Sequence, residues 1–152
     1  MIIKLFFFAL LTLASSCVSI PEDSQIIKFY QAETQKPYDD VLAELEIAIV
    51  EHNFRITGHS RVGKVIRDRG TKDFPDYDTL QFCNLTHAKT MLMMSPHSVS
   101  HMPCNIVTYH FKGKTIVKTQ LLPIGTENDE LNEFSKNMNN ILKQIVNFAV
   151  EE

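Results

Sequence analysis

Asn105-Ile-Val-Thr-Tyr-His-Phe-Lys-Gly-Lys-Thr-Ile-Val-Lys-Thr-Gln-Leu-Leu122 is the stretch whose reading decides the fold. Val107, Tyr109 and Phe111 alternate with Ile106, Thr108 and His110, the period-two pattern of a strand with two unlike faces. Lys112-Gly113-Lys114 breaks the run, so the segment reads as a hairpin, Asn105 to Phe111 and Lys114 to Leu122, turning about Gly113. Such alternation belongs to an antiparallel sheet with helices on one face. Upstream, Tyr77 to Cys83 places Leu80 and Phe82 on one side and Thr79, Gln81 and Cys83 on the other. Phe54, Ile56 and Gly58 alternate with Arg55, Thr57 and His59 in the same manner, and Gln25 to Glu33 reads as the first strand.

Helical periodicity fills the gaps. From about Asp39 to His52, Val41, Leu42, Leu45, Ala48 and Ile49 form one apolar stripe, with Asp39 and Asp40 at the positive end and Asn53 as terminator. A second helix starts from the capping residue Asn84, carries Ala88, Met91, Leu92 and Met94 near one face, and stops at Ser95-Pro96. A third begins at a capping-box-like Thr126 and Asp129 and keeps Leu131, Phe134, Met138, Ile141, Leu142, Ile145 and Phe148 in register. Arg61 to Asp73, with Gly63, Gly70 and five basic side chains, reads as an exposed edge, a hairpin or a mobile loop. The expected class is α+β: an antiparallel sheet of about five strands, helices on one face, in the order strand-helix-strand-strand-helix-strand-strand-helix.

The 152 residues open on a short basic start, Met1 to Lys4, and an apolar run from Leu5 to Leu13, far short of the roughly 20 residues a membrane-spanning helix needs. This is an export signal in form. Leu13-Ala14-Ser15-Ser16-Cys17 resembles the lipobox of bacterial lipoproteins, in which the cysteine is acylated and becomes the first mature residue. The expected division is a signal peptide over 1–16, a lipidated Cys17 with a polar spacer over 17–24, and one domain over 25–152. Acyl chains such as palmitate on Cys17 would tether the domain stably to a membrane. By resemblance to bacterial sorting rules, Val18 instead of Asp favours the periplasmic side of the outer membrane. The alternative is plain secretory cleavage near Ser16, leaving a free thiol. Removing residues 1–16 takes away Lys4 and no acid, which leaves 14 basic against 18 acidic side chains and a net charge of −4. That balance argues against a nucleic-acid partner.

Chemistry concentrates on Cys83 and Cys104. In an exported chain an even pair is first read as a disulfide, and the nine residues Ser95 to Pro103, reaching about 30 Å, are long enough to carry the chain back along an 11-residue helix of roughly 16 Å. Proximity is allowed and not required. A cysteine just before a helix is also favoured as a thiolate, and the plain alternative is a small buried hydrophobe. By strand parity, His59, Cys83, Cys104 and His110 gather on the face away from the helices. Met91 to Cys104 concentrates thioether, imidazole and thiol groups suited to copper or zinc, with His97, His101 and Cys104 as candidate ligands, although their spacing matches no structural zinc pattern. There is no G-x-S-x-G, P-loop, G-x-G-x-x-G or H-E-x-x-H motif, so the reading leans away from an enzyme, and no cofactor is expected.

Phe82-Cys83-Asn84, Ala88, Leu92, Pro96 and Pro103-Cys104-Asn105-Ile106-Val107 running into Tyr109, with the helix before Asn53-Phe54, resemble the family catalogued as domain of unknown function 302. The likeness covers roughly Ile26 to Val150. Members commonly read Cys-Asn-Pro where this chain has Leu85. The resemblance implies a small α+β domain, often dimeric and often exported, and marks Cys83, Asn84 and Cys104 as motif positions without supplying a catalytic residue. The leading expectation is an exported lipoprotein serving as a non-catalytic periplasmic binding or accessory module, holding a small ligand or protein partner at a cysteine-bearing site. The alternatives are a thiol-disulfide or sulfur-carrier protein using Cys83 and Cys104, then a copper or zinc binder, then a purely structural dimerising lipoprotein.

Overall fold

A computed structural model of the chain describes residues 27–151, so the signal, the lipidation site and the start of the first expected strand lie outside the described residues. The hairpin is present as β4 (Cys104–Phe111) and β5 (Lys114–Gln120), joined by Lys112 and Gly113 at φ 50° and 77°. Two successive positive φ values make the two-residue turn whose twist matches that of the strands. β1 (Phe29–Thr34), β2 (Arg55–Arg61) and β3 (Tyr77–Cys83) complete one sheet, ordered β1-β5-β4-β3-β2 and antiparallel throughout.

α1 (Tyr38–Glu51) buries Val41, Leu45, Ala48 and Ile49, one stripe at helical spacing. It stops where Asn53 enters the left-handed region at φ 60°, and the Phe54 amide then bonds the Ile49 carbonyl. α3 (Leu85–Met94) is followed by a 3-10 segment, Pro96–His101, and α4 (Asp129–Val150) crosses the sheet for about 33 Å at 1.5 Å per residue. Asn128, not Thr126, caps α4: its side chain accepts the Leu131 amide. The stretch expected as an edge, hairpin or loop contains α2 (Val62–Asp68), held by the Arg67–Asp76 ion pair. Gly63 lies so close to the chain before β3 that a Cβ would stand 2.4 Å from the Pro75 carbonyl oxygen, which explains a glycine inside that helix.

The fold is α+β as expected, with α1, α3 and α4 sharing one core with the sheet face that carries Leu80, Phe82, Ile106 and Val117. One expectation is reversed. On β4 the covered residues are Ile106 and Thr108, while Val107 and Tyr109 are only partly buried and Phe111 is exposed. Register fixes this, because Ile106 and Thr108 pair with Leu80 and Asp78 on one side and with Thr119 and Val117 on the other.

Candidate functional site

Strand parity predicts His59, Cys83, Cys104 and His110 together on the uncovered face; the structure brings Cys83 and Cys104 to one cavity and places His59 and His110 elsewhere. Cys104 shares the helix-covered face with Ile106 and sits opposite Phe82 in register, at the start of β4. His110 lies at the far end of that strand, exposed. His59 is moved by a β-bulge between Ile56 and Gly58, which restarts the alternation and pairs it with Leu80.

Two clusters result. At the far end, the Tyr38 hydroxyl stands 2.8 Å from Asp78 Oδ2 and 2.9 Å from the Thr108 carbonyl oxygen and donates between them. His59 Nε2 donates to Asp78 Oδ1 at 2.8 Å, and the His110 ring approaches that of Tyr38 with centroids 6.0 Å apart. Burial, then the hydrogen bond and charge of Asp78, raise Tyr38 far above the ordinary tyrosine range. These groups satisfy one another and clasp α1 to β2, β3 and β4, an arrangement that holds structure together.

The other end is different. Cys83 is the last residue of β3, and Asn84 turns the chain into α3 by accepting the Thr86 and His87 amides at 2.9 and 3.1 Å while donating to the Asn53 carbonyl. The Asn84 side chain is therefore consumed in capping. Because β3 ends there, Cys83 lines the same cavity as Cys104, a chamber of about 30 Å³ between the strand ends, α3 and α4. Both cysteines are free thiols and partly buried. Burial, with the neighbouring Cys83 adding to it, pushes the Cys104 thiol up to about 11. His101 and Met102 line the chamber from the turn before β4, while His97 is exposed and lies off it. The proposed His97, His101 and Cys104 set is therefore split. Among the described residues, no three His, Cys, Asp or Glu side chains stand close enough to cage a metal ion.

Several lining residues, among them His87, Phe134 and Met138, are not singled out by the sequence. His87 stands four positions before Met91 on the same helix face, a spacing that was readable. Phe134 and Met138 come from α4, whose docking no local pattern announces. Asn139, one residue further, fixes this wall: it accepts the Leu122 amide at 2.7 Å and donates to the Leu122 carbonyl at 2.9 Å. A wider polar hollow of about 220 Å³ lies outside, sharing His101, Met102, Cys104 and Leu122 with the chamber.

The family pattern described as domain of unknown function DUF302 matches residues 30–148, nearly the whole described chain. The chain belongs to the DUF302 family. A solved structure described as an uncharacterized conserved protein DUF302 from Bacillus stearothermophilus is similar at 19% identity and a TM-score of 0.68, over 80% of this chain and 97% of that one. At that identity the likeness concerns the DUF302 fold alone. No curated protein matches the chain.

Proposed function

We propose that this DUF302 chain is an exported, lipid-tethered accessory domain of the bacterial envelope that holds a small thiophilic guest between Cys83 and Cys104 and catalyses nothing. The observation that carries this reading is that both thiols line one chamber of about 30 Å³, which no carboxylate lines. About 10–15 Å³ of such space is enough for one water, so the chamber suits a small guest and not a large organic substrate. Thiol-disulfide exchange has less support, since the two cysteines lack the Cys-x-x-Cys spacing of such proteins.

The test uses the full-length chain with Cys17→Ser, so that only two thiols remain. One equivalent of mercuric ion is expected to protect both Cys83 and Cys104 from later alkylation, read by mass spectrometry. Protection of neither, or of Cys83 alone, overturns the shared hollow. The tether rests on the sequence of residues 1–17. Cells expressing the native chain and fed labelled palmitate are expected to label it in the membrane fraction, with the label lost in Cys17→Ser. A chain that stays unlabelled and leaves the membrane defeats the anchor.

A further inference from the structure

The donor atoms facing the chamber are nearly all soft. Cys83 and Cys104 line it together with Met91, Met102 and Met138, with His87 and His101 also at the wall and no carboxylate. Calcium and magnesium require oxygen ligands, which excludes them. Structural zinc takes four ligands from cysteine, histidine or carboxylate side chains in a tetrahedron, and the described residues do not bring even three of those close enough together. Monovalent copper has different needs. It is a soft, closed-shell ion that thiolate and thioether ligands select, and two or three sulfur donors without water complete its coordination. A chamber of about 30 Å³ has room for one such ion. Phe54, Leu122 and Phe134 wall it with hydrocarbon, and a second hollow on its outer side shares Met102 and Cys104 with it.

We propose that Cys83 and Cys104 bind one Cu(I) ion, with the chamber's methionine sulfurs as supporting donors. This rests on the reading of the two thiols as one binding hollow and specifies its guest. Binding forms two copper–sulfur bonds, breaks two sulfur–hydrogen bonds and releases two protons to the buffer; no electron is transferred.

The experiment titrates the reduced full-length chain, in the Cys17→Ser background, against a chromophoric Cu(I) chelator, and follows the ultraviolet thiolate-to-copper band. One Cu(I) per chain is expected, with zinc at equal concentration failing to displace it. Further substitution of Cys83→Ser or Cys104→Ser is expected to weaken retention about 100-fold or more, because each removes a thiolate ligand. Met102→Leu keeps the volume and both thiols, so it guards against misfolding, and it is expected to cost about tenfold. Retention that survives loss of both cysteines, or that Met102→Leu leaves unchanged, overturns the site. If mercuric ion still protects both thiols while Cu(I) stays with the chelator, copper is wrong and the hollow stands. If neither metal engages the pair, both readings fall.

Discussion

Alkylation of Cys104 at pH 7 is expected to run about tenfold slower than that of an ordinary exposed thiol on chemical grounds alone, with burial slowing it further. A thiol raised from 9.0 to about 11 carries about a hundredfold less thiolate at neutral pH. The thiolate that does form is more basic and more nucleophilic, which at a Brønsted slope of about 0.4–0.5 returns roughly six- to tenfold. Occupancy wins. The rate should therefore keep climbing about tenfold per pH unit beyond pH 9, where an ordinary thiol levels, and flatten only near pH 11. Mass-resolved alkylation of a Cys17→Ser, Cys83→Ser chain reads this directly, and a plateau near pH 9 contradicts it. Removing Cys83 also takes away the smaller of the two causes, so some of the displacement will relax.

The same displacement has a sign for stability. Between pH 9 and about 11 the unfolded chain has released the Cys104 proton and the folded chain has kept it. The unfolded state then binds fewer protons, so stability is full below pH 9 and falls as pH rises through this window. Cys104→Ala should flatten that part of the profile. Tyr38, raised for the same primary reason, adds a loss of the same sign at higher pH.

Much of the architecture was legible because it is periodic. The Asn105 to Leu122 alternation survives as β4 and β5, and the α1 stripe of Val41, Leu45, Ala48 and Ile49 is buried as spaced. Which face of the sheet is covered was not legible. Val107, Tyr109 and Phe111 are the more apolar set, but burial fell on the face carrying Ile106, Thr108, Thr115 and Thr119, where cross-strand register and helix docking outweigh hydrophobic content. His59 was misplaced by a bulge, since one extra residue reverses parity without leaving a trace in composition. α2 hides behind two glycines and five basic residues, and its reason for being is a close approach to Pro75 that only the folded chain reveals. Within the candidate site, Cys83 and Cys104 were visible as residue types, whereas their convergence depends on β3 ending at Cys83 and on α4 closing the chamber with Met138.

Replacing Phe82 tests whether that chamber is a local construction. Phe82 is fully buried, meets Phe54 edge-to-face with centroids 5.3 Å apart, and faces Cys104 across β3 and β4. Phe82→Ala is expected to cost about 3–5 kcal/mol in urea unfolding, from lost transfer energy and the cavity left behind. That is a large share of the roughly 5–15 kcal/mol that holds a domain of this size. The void opens beside Cys104, so under native conditions its thiol should gain hydration, its pKa should move back toward 9.0, and its alkylation should quicken. Leu45→Ala supplies the comparison: Leu45 is equally buried, sits on α1 away from the chamber, and should cost about 2–5 kcal/mol. If both variants accelerate Cys104 to the same degree, transient global unfolding explains the exposure and the packing around the two sulfurs does not control it. If only Phe82→Ala does, the aromatic pair is what keeps water from the thiol.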